Sequence, residues 1–167
     1  PGIEILFSLE PAQPAMVKAA IGAIGRLDLS GLDSHLAHYL RHPDPEVRAA
    51  VLRTIASQDE LAESCHGLVL DACDDPVEFV RIQAVRAVRL DPGSERSQIL
   101  WKAMADESWW VRLAACDSLA SYDEGASMLR LAGDTHPDSF ARQIAIQTLL
   151  DRGLVGVSEA VELREAI

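Results

Sequence analysis

Residues 44–56 read DPEVRAAVLRTIA: an acid, a proline, a second acid, then aliphatic residues of helical period around a single base, Arg48. The phrase recurs along the chain. MVKAAIGAI (16–24), EVRAAVLRTI (46–55), FVRIQAVRAV (79–88), WVRLAACDSL (110–119) and FARQIAIQTL (140–149) align on Lys18, Arg48, Arg81, Arg112 and Arg142, with spacings of 30, 33, 31 and 30. Counted from the base, offsets −1, +3, +4 and +7 are apolar in almost every copy, the first having Gly25 at +7. At 100° per residue these offsets share one helix face, which must be buried. Internal repetition at this period is the mark of a stacked-repeat architecture.

The start of each such helix is also written in. Asp44-Pro45-Glu46 offers an N-cap acceptor, a φ pre-set for the first turn and a carboxylate against the helix dipole. Asp75-Pro76-Val77-Glu78 reads as a capping box that begins its helix two residues earlier relative to the base, which would account for the longer spacing. Ser108 and Asp138 are the caps of the later copies, and HPDPEVR (42–48) nearly repeats HPDSFAR (136–142). Upstream of the caps lie LDSHLAHYL, ELAESCHGLVLDA, ERSQILWKAMA and ASMLRLAG, a second amphipathic stretch per copy. The unit is therefore helix A, a short turn, helix B. One such pair cannot bury its apolar faces, and stacking on neighbours does it.

Composition sets further bounds. The 167 residues are 49% hydrophobic and 25% charged, a globular balance. The net charge of −11 repels a phosphate backbone and argues against nucleic acid as a partner. Cys65, Cys73 and Cys116 are odd in number and form no Cys-x-x-Cys, so they read as buried free thiols of a reducing, cytoplasmic setting. No apolar run reaches ~20 residues, and PGIEILFSLE lacks the basic start of a signal peptide, so membrane insertion is not expected. The chain opens without Met and ends in GVSEAVELREAI, read as a helix with nothing to pack on; a piece of a longer protein is the expectation.

DPEVRAAVLRTIA and its copies resemble the HEAT repeat, in its short bacterial form of the phycobilisome-lyase HEAT-like type, over roughly residues 12–153. The resemblance implies an all-α fold: a right-handed α-α superhelix of four to five helix pairs. It divides a single domain, 1–167, into repeats at about 1–28, 29–57, 58–90, 94–122 and 124–153, with a partial one at 156–167. It also implies that Arg48, Arg81, Arg112 and Arg142 bond turn carboxylates such as Asp44, Asp75 and Asp138, tying neighbours together. B helices line the concave surface of such solenoids. There Arg53, Arg86 and Arg89, at offsets +5 and +8, would make a basic island selecting an acidic partner.

Trp110 shares offset −2 with Phe79 and Phe140 and reads as part of a stacked packing ladder. Trp109 stands where the other copies have Pro45, Glu78 and Ser139, and so reads as an exposed contact residue. His35, His38 and His42 fall on one helix face; without a recruited carboxylate or thiol they read as a solvated polar face and not a metal site. No nucleophile motif or phosphate loop appears, so no catalytic residue and no cofactor are assigned. The expected function is a non-catalytic scaffold or docking module for another protein, or for another domain of the same one. Its alternatives are a phycobilin lyase or lyase-like chaperone subunit and, against the acidic charge, a HEAT-like DNA glycosylase.

Overall fold

Apolar residues at −1, +3, +4 and +7 force a helix to lie against another, and the chain answers with helix upon helix. The computed structural model describes residues 17–19, 21–22, 33–58, 65–91, 95–122 and 124–165. Among them are α1 (Asp33–Tyr39), α2 (Pro45–Ala56), α3 (His66–Ala72), α4 (Glu78–Val88), α5 (Glu95–Ala103), α6 (Trp109–Leu119), α7 (Gly125–Thr135), α8 (Ser139–Asp151) and α9 (Val157–Glu165). No strand occurs among the described residues. The fold is that of an α-solenoid built from helix pairs. The chain forms two compact units, Pro1–Asp91 and Pro92–Ile167.

In the first unit α2 packs along α4, with α1 against α2 and α3 against α4. Val17 and Ile21, from the helical residues before α1, are also buried, and the Thr54 hydroxyl donates to the Ile21 carbonyl at 3.4 Å. Most of the first repeat, 1–28, lies outside the described residues. In the second unit α6 lies along α8, α5 packs on α6 and α7 on α8. The terminal segment was expected to lack a packing partner; instead α9 rests against α7 and α8 with Ala160 buried. Arg130 of α7 secures it, donating to Glu159 at 2.8 Å and to the Leu154 carbonyl at 2.6 Å.

The four B helices α2, α4, α6 and α8 all begin three residues before their base. The expectation of an earlier start for α4 is corrected: Val77 is its N-cap and the helix opens at Glu78. Asp75 instead uses a carboxylate oxygen to accept the Val77 N–H at 2.9 Å, holding a turn outside the helix. The additional residues of the longer spacing thus lie before α4, not within it. Val47, Val51, Leu52 and Ile55 are buried in α2, and the same offsets are buried in α4, α6 and α8. A further buried offset, +6, carries Thr54, Ala87, Ser118 and Thr148, all small enough for close helix approach.

Two glycines are demanded by geometry. Gly153 (φ 65°) ends α8: the Leu154 N–H reaches the Leu149 carbonyl at 2.8 Å and the Gly153 N–H reaches Leu150 at 3.0 Å, a Schellman closure. Gly125 opens α7 so close to the end of α6 that an added Cβ would stand 1.7 Å from the Leu119 carbonyl oxygen. Gly125→Ala should therefore destabilise the second unit by roughly 1–3 kcal/mol through forced backbone movement. Gly67→Ala, in open space within α3, should be neutral or stabilising by up to about 1 kcal/mol. Denaturant unfolding of the two variants checks the contrast.

Candidate functional site

Each B helix is reached through one recurring turn. Six residues before the base stand His42, Asp75, Asp106 and His136. Each side chain accepts the N–H of the residue two further on: Asp44 to His42 Nδ1 (3.0 Å), Val77 to Asp75 Oδ1 (2.9 Å), Ser108 to Asp106 Oδ1 (2.7 Å) and Asp138 to His136 Nδ1 (3.1 Å). The carbonyl of the same residue accepts from the guanidinium: Arg48 Nη1 on His42 (2.8 Å), Arg81 Nη1 on Asp75 (3.0 Å), Arg142 Nη1 on His136 (2.6 Å), and Arg112 Nε on Asp106. Because His136 accepts at Nδ1, its proton sits on Nε2 and is directed to the Trp101 carbonyl, 3.3 Å away. Its ring is buried, with the Trp101 ring centroid at 4.7 Å.

The bases also reach forward. Arg48 grips both oxygens of Asp75 through Nε and Nη2 at 2.8 and 3.0 Å, a bidentate pair between consecutive repeats. Arg112 Nη1 donates to Asp138 at 2.7 Å. The receiving acid stands six residues before its own base in one case and four in the other. Asp44 serves differently: it caps α2 by accepting the Glu46 N–H at 2.8 Å, while Lys18 reaches Glu46. The carboxyl of Asp138 is held below its ordinary range, first by the Ala141 N–H and then by Arg112.

The residues expected to bind a partner have separate fates. Arg53 and Arg86 are exposed. Arg89 is not available as part of a basic island: it is half-buried, and its Nη2 donates to the Ala56 carbonyl at 2.8 Å, closing the last turn of α2. Trp109 is 51% exposed and lines a groove of about 580 Å³ with Leu113, Ile144, Gln143, Gln147 and Arg164. Gln147 donates to Asp151 at 2.7 Å and accepts from Arg164 at 3.1 Å along its rim.

The packing ladder expected of Trp110, Phe79 and Phe140 is absent. The three are 61%, 43% and 57% exposed, because offset −2 is rotated well away from the buried arc. Phe140 faces the Arg112 guanidinium with 5.8 Å to its ring centroid, and Phe79 lines a second groove, in the first unit. Trp110 thus joins Trp109 on the surface.

His42 does not belong to a solvated face; it is the turn acceptor of α2, whereas His38 is exposed and the His35 side chain lies outside the described residues. Among the described residues no three His, Cys, Asp or Glu side chains are placed to hold a metal ion, and no helix is long and apolar enough to cross a membrane. The cysteines are free; Cys65 and Cys116 are buried, and Cys73 is half-buried. Burial pushes the Cys116 thiol up to about 12, so it is no nucleophile.

Paired helices, a base that links consecutive turns and a shared buried arc define a helical-repeat protein. Residues 32–120 match the family of HEAT repeats, and the chain belongs to that family. No functionally curated protein matches it in sequence. Its fold is similar to that of an engineered protein solved by crystallography, at 17% identity and a TM-score of 0.57, covering 99% of this chain and 94% of that one. HEAT repeats are generally non-enzymatic and typically mediate protein interactions.

Two measurements probe the turn. Arg48→Ala should cost about 1–3 kcal/mol, as expected for loss of charge-assisted bonds, whereas exposed Arg53→Ala should stay within ~0.5 kcal/mol. Equal shifts in unfolding midpoint would deny the register base its tie. Asp138 has a folded-state pKa below the ~3.9 of an unfolded carboxyl. Its contribution is complete above that value and is lost as pH falls through the folded pKa. Asp138→Asn should therefore flatten the loss of stability below about pH 4, read from unfolding midpoints across a pH series.

Proposed function

We propose that the chain is a non-catalytic docking module that seats a partner protein, or another domain of its own protein, on the surface at the starts of the B helices α6 and α8 of the second unit. The observation that carries this reading is the exposure of Trp109, Trp110 and Phe140 in the second unit, large rings left substantially in water at offsets −3 and −2. Burial of such rings is the main source of energy at protein interfaces, where Trp is over-represented among the residues that matter most. Trp109 has the further support of an adjacent groove with an apolar floor (Leu113, Ile144) and polar rim (Gln143, Gln147, Arg164). Apolar anchoring with a few polar groups to fix orientation is the usual composition of a recognition site. In the first unit Arg53 and Arg86 are exposed cations open to a partner of their own, and Arg89 serves the fold.

A displayed random-peptide library, selected on the protein and counter-selected on Trp109→Ala/Trp110→Ala, tests the proposal. Enriched peptides should bind the wild type and lose at least roughly tenfold in the double variant. The unfolding midpoint should move little, because both rings are exposed. Failure to enrich any peptide that discriminates between the two proteins would refute the docking role of the pair.

A further inference from the structure

We infer that the groove lined by α2, by Lys18 and Gly22 and by Phe79 at the start of α4 receives an acidic segment bearing an apolar side chain, with Arg53 in the groove and Arg86, at the same register of α4 outside it, meeting its carboxylates and Phe79 its apolar residue. The inference rests on the docking reading and assigns a second site and a partner chemistry to it. In a chain of net charge −11, cations are few, and most of those among the described residues are engaged. Arg48 and Arg112 hold turn acids, Arg130 and Arg152 hold Glu159 and Asp117, and Arg89 closes α2. Arg53 and Arg86, both exposed, make no hydrogen bond or ion pair among the described residues. Arg41 shares that freedom but lies in the turn between α1 and α2, outside the groove lining.

Arg53 and Arg86 stand at the same register on neighbouring helices. Arg48 joins the start of α2 to the turn before α4, and Arg89 joins the end of α4 to the end of α2, so the two helices run parallel in register. Arg53 and Arg86 each stand five residues past their base, on helices whose axes pack about 8–10 Å apart. Two like charges at that spacing repel weakly and gain from a shared anionic partner. Carboxylates on alternate residues of an extended segment are roughly 7 Å apart and can serve both.

The groove supplies the apolar half of the site. It encloses about 650 Å³ between Lys18, Glu46, Ala49, Ala50, Arg53 and Phe79. Ala49 and Ala50 keep its floor shallow and apolar, and Phe79 forms a half-exposed wall. The nearby Glu46 carboxylate is neutralised by Lys18, leaving Arg53 as the uncompensated charge of the groove. The chain carries a net charge of −11, and contact ion pairs are screened by salt far less than charges more than ~8 Å apart. A polyanion would extend into that acidic surface, so the charge favours a short acidic peptide over nucleic acid.

Fluorescence anisotropy decides the matter with three labelled probes: a short peptide alternating Glu with Leu and Phe, its Gln counterpart, and an oligothymidylate. The Glu peptide should bind, and the Gln peptide should bind roughly tenfold more weakly or worse. Arg53→Glu/Arg86→Glu should weaken the Glu peptide at least about tenfold, and Phe79→Ala severalfold. Arg41→Glu and Trp109→Ala/Trp110→Ala should leave it within about twofold. Equal binding of Glu and Gln peptides, equal loss in Arg41→Glu, or tighter binding of the oligothymidylate would each overturn the assignment. Absence of Glu-peptide binding would overturn it too. If library peptides are still captured through Trp109 and Trp110, the docking module stands and only this site falls. Unfolding midpoints of the exposed-site variants, expected near wild type, guard against misfolding as the cause.

Discussion

A guanidinium in the first turn of α2, α4, α6 and α8, bent back onto a carbonyl six residues earlier, is the interaction on which these repeats are hung. A helix start leaves backbone N–H groups without partners, and a turn feeding it must hold its own polar groups as well. Here one residue answers several of these needs. Its side chain takes an N–H of the turn while its carbonyl takes the arginine, as His42 and Arg48 show. The base is thereby fixed in direction, and its remaining N–H groups meet the next turn, as between Arg48 and Asp75. All four B helices begin at one offset from that base.

The buried arc was legible in the sequence because burial selects residue type directly. Val47, Val51, Leu52 and Ile55, and their counterparts, could not have stood elsewhere on their helices. The turn acceptor was not legible, although it recurs as His42, Asp75, Asp106 and His136. An imidazole Nδ1 and a carboxylate Oδ1 are alike as acceptors in this geometry but unlike as letters, so His42 suggests a solvated face and Asp75 a cap. Asp75 was accordingly read as the opening of α4, which it precedes.

Recurrence misled in one place. Three aromatics at offset −2 suggested packing, yet the helical angle turns Phe79, Trp110 and Phe140 to water. Spacing alone also could not separate Arg86 from Arg89. Both lie past the buried arc, but Arg89, at the end of α4, is within reach of the unsatisfied carbonyls closing α2, and Arg86, a turn earlier, is not. The chemistry of the exposed surface is thus set by what the helix ends do not consume.

The two inter-repeat acids stand two residues apart in register, Asp75 six before its base and Asp138 four before its own. An arginine at one register therefore takes a carboxylate from either position by presenting a different edge, Nε and Nη2 to Asp75 and Nη1 to Asp138. In evolutionary terms that slack makes the repeat a portable module. A duplicated or transplanted helix pair needs one acid somewhere in its entry turn to be latched by the repeat before it. Meanwhile its outward offsets remain free to diverge toward new partners.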